Sequence, residues 1–482
     1  MKRLSLLLVL VSSSASAAPW DKSGIDWTKP PPPTAEPSFR VPRGESFQLV
    51  NGVKVIVSSN RTLPLVSLYV LVGGAGSSAD PEGRSGLAAF VGDLVDEGAG
   101  DLDAMGIAAA ADALGATVSV GAGLDDGYAI ASTLPRTLAQ TFDLMAKIVT
   151  QPRFAPGDVD RVHEDRMTEI ALRRDDGDAV ADVVADAVVY GRDTPYGRPI
   201  LGFEKELAKV TRDEVLAFYA AHWRPEGLTI VVTGDVTAAD VRPLVEKSFG
   251  AWRPAAAPAT AAAPKARAYT PTSRLVVVNR PGAEQSDVRL ALPGPKYGGP
   301  GTVAVDVTRT LLGGTFTSRL NRRLREQLGY SYGVYASWEE RRSPSAVTIH
   351  SGFFTPKTAE SIKEALAILT ATATKPVPEE ELRRVRQNII RGMPEKFETN
   401  AGVAGALAQL ALLGLPDDFY ERYLAEVPKI GPKEVQAAAK KYFLAAKMRI
   451  VIVGDLGVVL PEVHKLKLGR ESTVDEEANP IK

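Results

Sequence analysis

The side chains that most often bind metals or act as nucleophiles are scarce in this chain of 482 residues. It has no cysteine, which excludes disulfides, thiolate metal sites, iron–sulfur clusters and thiol nucleophiles. Its four histidines are His163, His222, His350 and His464. No two of them are four residues apart, the spacing that puts two imidazoles on one face of a helix. Metal or acid–base chemistry therefore has to come mainly from carboxylates and these four rings.

A predicted helix that follows a strand and a glycine-rich turn carries the first pattern of a site. The segment from Gly86 to Gly98 reads GLAAFVGDLVDEG. It resembles the G-L-A-H-x-x-E-H motif of the pitrilysin, insulin-degrading enzyme and mitochondrial processing peptidase family, the inverzincin metallopeptidases. In that family the two histidines bind zinc and the glutamate activates water. This chain has Ala89, Gly92 and Asp93 at those positions, so the resemblance implies a degenerate zinc motif and no metal bound by this chain.

The family's third zinc ligand is a glutamate on a later helix, and the resemblance maps it to Glu169 in the charged segment 161–170. Two interpretations remain open. Glu169 is a vestigial ligand position, or it is one of several charged residues on a solvated helix face. The segment from Asp193 to Gly202 resembles the family's P-x-G-x-P-x-x-G loop, in which glycine and proline mark a turn between helices. That match supports the fold rather than a catalytic role.

The second half of the chain keeps a more specific element. Residues 311–320 read LLGGTFTSRL, and residues 324–332 read LREQLGYSY. Family members have G-G-x-x-x-S-R-L, then L-R-E, and a tyrosine seven residues after that arginine. By resemblance, Arg325 and Tyr332 match the Arg/Tyr pair that engages substrate across the cavity from zinc. A guanidinium and a phenol can both donate hydrogen bonds to a substrate carbonyl. The alternative is a structural role, with Arg325 in a surface ion pair.

Strands and helices are mixed around these motifs. Residues 47–57 are typical of a hairpin, because two alternating runs flank Asn51-Gly52, a turn dipeptide that tolerates positive φ. Residues 65–72 predict a buried strand, and residues 158–174 predict a helix with apolar residues interspersed among charges. The mixture predicts an α+β fold with helices packed against antiparallel sheets, as the family resemblance also implies.

An internal duplication divides the chain into two domains. Residues 214–235 and 434–455 share seven identities at an offset of 220, where chance gives about one or two. Each segment ends in a short apolar strand, 229–233 or 449–453, followed by Gly-Asp. We therefore predict peptidase-like domains at 44–253 and 274–460, joined by an Ala/Pro linker at 254–273. Residues 461–482 are predicted to form a polar tail.

The N-terminus has the pattern of a secretory signal peptide over residues 1–17. A basic start is followed by an apolar run at 4–11 and by small residues up to Ala17. The run is shorter than the roughly twenty residues that a membrane span needs. A Pro-rich leader follows at 18–43, and we expect a periplasmic or secreted protein. The balance of 57 basic against 58 acidic residues argues against a nucleic-acid partner.

Some members of the family divide the work between two chains, one with zinc and one with the Arg/Tyr pair. The resemblance therefore implies an exported, zinc-less subunit of a heterodimeric zinc metallopeptidase, which is not expected to be catalytic alone. Its expected partners are a homologous zinc-bearing subunit and a peptide substrate. The alternative is a catalytically inactive peptide-binding or scaffold protein of the same fold. An independent peptidase with an unrecognised site has little support from the inventory of ligands.

Overall fold

The computed structural model describes residues 39–253 and 273–481. The predicted signal peptide, most of the predicted leader and nearly all of the predicted linker lie outside these ranges. From Val41 onward the chain forms one compact unit that contains both halves of the duplication. Within the described ranges, no helix combines the length and the apolar character needed to cross a bilayer.

The first half builds a six-stranded sheet with helices packed on it. The strand order is β1-β2-β8-β3-β7-β6, and the β2–β8 pair is parallel while the other pairs are antiparallel. The predicted hairpin is confirmed, since β1 and β2 pair antiparallel around a turn in which Gly52 has a φ of 99°. The elements are β1 Glu45–Gln48, β2 Lys54–Ser59, β3 Val66–Gly73, α1 Leu87–Leu94, β4 Gly98–Ala99, β5 Leu102–Asp103, α2 Ala104–Leu114, β6 Thr117–Ala122, β7 Asp126–Thr133, α3 Leu138–Thr150, α4 Pro156–Asp175, α5 Gly177–Tyr190, α6 Glu204–Leu207, α7 Arg212–His222, β8 Leu228–Gly234 and α8 Ala238–Phe249.

The second half repeats this arrangement, which confirms two duplicated domains that each contain a sheet. Its strand order is β11-β12-β10-β13-β9-β14, so that β9, β13, β10, β12 and β11 correspond to β2, β8, β3, β7 and β6. The β9–β13 pair is parallel, as is its counterpart β2–β8. The elements are β9 Leu275–Asn279, β10 Gln285–Pro293, α9 Thr302–Gly313, a π-helix Asn321–Gln327, β11 Tyr335–Trp338, β12 Ala346–Phe354, α10 Thr358–Thr374, α11 Glu379–Gly392, α12 Asn400–Leu413, α13 Phe419–Glu426, α14 Pro432–Tyr442, β13 Arg449–Gly454, α15 Leu456–Val463 and β14 Glu471–Thr473.

The segment predicted as a polar tail contributes to this second sheet. β14 lies within it and pairs in parallel with β9, so it forms one edge of the sheet. The sequence also did not predict the parallel pairs β2–β8 and β9–β13. In each of them a strand near the start of a domain pairs with a strand near its end. Such pairing joins residues that are far apart in sequence, and local periodicity carries no information about it.

The two halves exchange one helix each. Helix α5 of the first half packs on β10 and β13 of the second sheet, and α12 of the second half packs on β3 and β8 of the first sheet. Val180 and Val184 of α5 are buried in one cluster with Val453 of β13. At the first residue of α12, the Asn400 carbonyl oxygen accepts a hydrogen bond from the Thr233 hydroxyl of β8 at 2.6 Å. Each sheet therefore depends on the other half for part of its core.

A buried arginine fixes α5 to the second sheet. The side chain of Arg289 on β10 is only 1% exposed. Its Nε donates to Asp182 at 2.6 Å and its Nη2 donates to Asp178 at 2.8 Å. Both carboxylates belong to α5 and are more than half exposed. Because a buried guanidinium needs a counter-charge, this cluster couples the two halves.

Removing both α5 carboxylates, with Asp178→Ala and Asp182→Ala together, is expected to lower the free energy of unfolding by about 3 kcal/mol. Arg289 would then remain buried and charged with both of its carboxylate partners gone, although its hydrogen bonds to the backbone carbonyl oxygens of residues 178 and 288 would remain. Urea unfolding followed by circular dichroism measures the change. The matched control is Asp165→Ala, which removes an exposed pair with Arg161 worth less than about 1 kcal/mol. A double variant as stable as this control would contradict the coupling.

Candidate functional site

Helix α1 carries the three positions of the degenerate motif and begins in a glycine turn. Gly86 has a φ of 91°, and a Cβ there would lie 2.5 Å from the Leu201 carbonyl oxygen. The carboxylate of Asp80 caps the helix by accepting hydrogen bonds from the N–H groups of Gly86 and Ala88, each at 2.7 Å. The loop that resembles the family's P-x-G-x-P-x-x-G element therefore packs against the start of α1 and helps to set its position.

Gly92 stands where family members have the glutamate that activates water. The backbone of the edge strand β6 leaves no room there for a side chain. A Cβ at Gly92 would lie 2.7 Å from the backbone nitrogen of Ala122 and from the backbone carbonyl carbon of Gly121, both in β6. Contacts with backbone this short cannot be relieved by rotating a side chain. The second half repeats the contact, because a Cβ at Gly313 in α9 would lie 2.5 Å from the backbone nitrogen of Ala336 in β11. A glutamate therefore does not fit at position 92 unless α1 moves away from β6.

An arginine from α4 takes up the space beside the motif. Arg166 forms an ion pair with Asp93 and donates to the Ala89 carbonyl oxygen at 3.1 Å. Its side chain is 7% exposed. Burial raises the pKa of Asp93, Arg166 opposes this effect, and Glu169 and Glu97 add to it. Sequence reasoning missed Arg166, although a basic residue one helical turn before Glu169 was the available signal.

These residues do not fit a zinc ion. Ala89 and Gly92 have no side-chain donor atom, and Asp93 is engaged by the guanidinium of Arg166. Glu169 is exposed on α4. Across residues 39–253 and 273–481, no three His, Cys, Asp or Glu side chains cluster closely enough to bind a metal ion. No chemical step on this chain is therefore assigned to a metal at these positions.

The four histidines do not converge on this site. Each contacts backbone carbonyl oxygens, aromatic rings or a carboxylate. The contacts are His163 with the Leu207 carbonyl oxygen at 3.2 Å and the Phe90 ring, His222 with the Gly74 carbonyl oxygen at 2.8 Å and the Phe218 ring, His350 with the Tyr335 ring, and His464 with the Glu471 carboxylate at 2.8 Å. These contacts are typical of histidines with a structural role. None of the four lies within a group of metal-binding side chains in the described part of the chain.

The first residue of β7, Asp126, has a carboxyl group that makes stability depend on pH. Burial, together with the adjacent Asp125, raises the pKa of Asp126 from its usual value near 3.8 to about 7. A folded-state pKa above the unfolded value favours the fold at low pH, and this contribution is lost as pH rises from about 4 to about 7. We therefore expect Asp126→Asn to raise Tm relative to wild type, and to raise it more at pH 8 than at pH 5.

Thermal unfolding between pH 5 and pH 8 measures this effect. Because other buried carboxyl groups titrate equally in both proteins, the difference between them isolates Asp126. The matched control is Asp112→Asn at an exposed position on α2. If the Tm difference between the Asp126→Asn variant and wild type is the same at both pH values, the assignment is wrong.

The second half positions Arg325 and Tyr332 around a turn that Asn321 stabilises. Arg325 lies in the π-helix, and Tyr332 lies in the loop that leads to β11. The Asn321 side chain donates to the carbonyl oxygens of Thr315 and Val334 at 3.1 and 2.9 Å, and it accepts from the Val334 N–H at 2.8 Å. One buried amide therefore joins the loop before the π-helix to the loop after it.

Both side chains of the pair are accessible. Tyr332 is 84% exposed, and the Arg325 guanidinium lies 4.1 Å from the centroid of Phe316, which is itself 57% exposed. Stacking occupies the face of the guanidinium and leaves its N–H edge free to donate. Among the residues that the structure describes, Arg325 forms no ion pair, so the surface ion pair of the alternative interpretation is not observed. The same residues show no hydrogen bond between Arg325 and Tyr332.

Two family models match the chain in consecutive segments. Residues 54–202 match the model described as Insulinase (Peptidase family M16), and residues 209–389 match the model described as Peptidase M16 inactive domain. An uncharacterized zinc protease of Mycobacterium tuberculosis is 26% identical over 410 residues, which cover 85% of this chain and 92% of that protein. A non-peptidase homolog of Helicobacter pylori is 21% identical over 415 residues, which cover 84% of this chain and 92% of that protein.

Solved structures share the fold. A peptidase M16 inactive domain from Pseudomonas fluorescens superposes with a TM-score of 0.78 at 23% identity and covers 85% of this chain and 98% of that one. A protease from Helicobacter pylori superposes with a TM-score of 0.79 at 20% identity and covers 86% of this chain and 100% of that one. The matching models, the duplicated sheets and the degenerate motif on α1 lead to one conclusion. The chain belongs to peptidase family M16, the pitrilysin-like peptidases.

Proposed function

We propose that this chain is the zinc-less subunit of a two-chain M16 peptidase. It would contribute half of the peptide chamber together with Arg325 and Tyr332. The observation that carries the proposal is the contrast between the two halves. In the first half Ala89 and Gly92 have no side-chain donor atoms, β6 closes position 92, and Arg166 engages the carboxylate of Asp93. In the second half Tyr332 is exposed and Arg325 is partly exposed, and neither has a carboxylate partner among the described residues.

The Arg/Tyr pair suits a role in binding a peptide carbonyl. Arg325 offers N–H donors in a fixed plane and Tyr332 offers one O–H donor, and both can hydrogen bond to the same kind of oxygen. Donors of this type stabilise negative charge that develops on a carbonyl oxygen. The zinc and the glutamate that activates water would come from the homologous partner subunit, because this chain supplies neither.

A second candidate function is a catalytically inactive peptide-binding or scaffold protein of the same fold. The observation that favours it is the match to the non-peptidase homolog of Helicobacter pylori over 84% of this chain. The two candidates differ in what the Arg/Tyr pair does. In the subunit it acts on the substrate, whereas in the scaffold its replacement leaves any partner's activity unchanged.

Export is part of the proposal. The basic start, the short apolar run and the small residues up to Ala17 support a cleavable signal peptide and a periplasmic or secreted protein. Amino-terminal sequencing of the protein recovered from the periplasmic and extracellular fractions tests this. A mature chain that still begins at Met1 would contradict it.

Co-expression with a neighbouring M16 chain that has an intact H-x-x-E-H motif tests the proposed assembly. We expect a complex on size-exclusion chromatography that cleaves peptides faster than either chain alone. The partner expressed alone is the matched control. Two folded chains that do not associate, or a partner whose activity is the same with and without this chain, would contradict the subunit role.

A further inference from the structure

A cavity of about 300 Å³ lies in the second half between the end of α9, the loop 314–318 and helix α11. Arginine side chains line it from two sides, Arg322 from the π-helix and Arg384 from α11. A second cavity of about 530 Å³ shares Arg322 with the first. The family's Arg/Tyr pair is not among the residues that line either cavity, so this surface is distinct from the proposed peptide-carbonyl site.

The arginines around the two cavities differ in whether their side chains bind a carboxylate. Arg319 binds Glu381 through two hydrogen bonds of 2.9 and 2.6 Å, and Arg323 binds Glu364 in the same way at 2.9 and 3.1 Å. Arg383 on the outer side of α11 likewise pairs with Glu380. The two that line the 300 Å³ cavity, Arg322 and Arg384, have neither a hydrogen bond nor an ion pair from their side chains to any described residue.

The remaining lining of the 300 Å³ cavity is suited to an anion. Thr317, which carries a hydroxyl, and Asn388, which carries an amide, line the same cavity. Neither side chain has a hydrogen-bond partner within residues 39–253 and 273–481. One carboxylate, Glu381, lies on the cavity wall, where it binds Arg319 at two points and also interacts electrostatically with Arg322 and Arg384. Because this single negative charge is shared among three arginines, the cavity lining keeps a net positive charge.

We propose that this cavity binds an oxyanion, carboxylate or phosphate, between Arg322 and Arg384. A guanidinium presents paired N–H groups that match both kinds of anion, and such charge-assisted hydrogen bonds are stronger than neutral ones. Thr317 and Asn388 complete the coordination of the oxygens. The anion could be a free phosphate or an acidic group of a peptide, since both are recognised by the same hydrogen bonds. The experiment below distinguishes these two sources.

An occupied cavity has a consequence for the Arg/Tyr pair. Phe316, on which Arg325 stacks, lies in the chain between Thr315 and Thr317, and both threonines line the cavity. An anion bound to this loop would limit its motion and thereby fix the ring beneath Arg325. This consequence rests on the proposed function, but binding of the anion does not.

Titration calorimetry of the full chain with inorganic phosphate, at constant ionic strength, tests the site. We expect saturable binding that is weakened at least about tenfold in the Arg322→Gln, Arg384→Gln double variant, since each loses a charge-assisted hydrogen bond. The matched control is Arg383→Gln on the same helix, and it should bind as wild type does. Arg384→Lys, which keeps the charge, should bind more tightly than Arg384→Gln and guards against a folding defect.

A second arm uses a short peptide with a glutamate and its glutamine counterpart. Preference for the glutamate peptide over phosphate identifies a peptide carboxylate as the ligand, and the reverse identifies a free phosphate. Absence of saturable binding of both probes by the wild-type chain would overturn the proposal, as would equal affinity of wild type and the double variant. These outcomes do not depend on a partner subunit, so they are separable from failure of the proposed function.

Discussion

Restoring the metallopeptidase motif, with Ala89→His, Gly92→Glu and Asp93→His together, is expected to give a destabilised protein that still fails to bind zinc stoichiometrically. The Cβ at position 92 would lie 2.7 Å from the backbone of β6, and Arg166 would lose the carboxylate it pairs with. Overpacking costs about 1–3 kcal/mol and an unpaired buried charge costs about 3–5 kcal/mol. We therefore expect the free energy of unfolding to fall by at least about 4 kcal/mol.

Chemical unfolding and metal analysis of the dialysed protein measure the two parts of this prediction. Gly92→Ala alone should already destabilise, because one methyl group meets backbone. Gly157→Ala is the matched control, because no atom lies within 4 Å of a Cβ at that helical glycine. A triple variant that binds one zinc per chain and unfolds as wild type does would show that the site is open.

Replacing Arg325 with Ala, or Tyr332 with Phe, is expected to lower kcat/KM of the reconstituted pair by about 10²–10³-fold. Each change removes a donor to the substrate carbonyl. Stability should be nearly unchanged, because Tyr332 is 84% exposed and Arg325 has no ion pair among the described residues. Peptide hydrolysis by the pair and thermal unfolding of the single chain provide the two readouts.

Two neighbouring residues serve as controls for these variants. Arg323→Ala lies on the same π-helix but removes an arginine paired with Glu364, and Tyr335→Phe removes a hydroxyl from the adjacent edge strand. Neither should reduce hydrolysis by more than a few fold. Unchanged activity in both the Arg325 and the Tyr332 variants would favour the scaffold over the subunit.

Local sequence patterns were sufficient for much of the fold. The alternation on either side of Asn51-Gly52 predicted the β1–β2 hairpin, and the repeat at an offset of 220 predicted the matching strands β8 and β13. These features depend on residues close in sequence or on direct repetition. The exchange of α5 and α12 between the halves depends on contacts such as that of Arg289 with Asp182, which are 107 residues apart and leave no local periodicity.

The sequence was enough to predict which residues occupy the candidate site, but not how they are arranged in space. The residue types at positions 89, 92 and 93 were enough to predict that the zinc ligands are missing. The closure of the site was not predictable, because it depends on the distance between α1 and β6 and on Arg166, which arrives from another helix. The stacking of Arg325 on Phe316 was likewise not predictable, since the eight residues between them include a turn whose path only the structure gives.

Zinc content and peptide cleavage of the isolated chain, measured beside those of the pair, decide whether this chain is a zinc-less subunit. We expect far less than one zinc per chain and no cleavage by the isolated protein, with zinc and activity present in the complex. Stoichiometric zinc in the isolated chain, together with cleavage that a chelator abolishes, would contradict it.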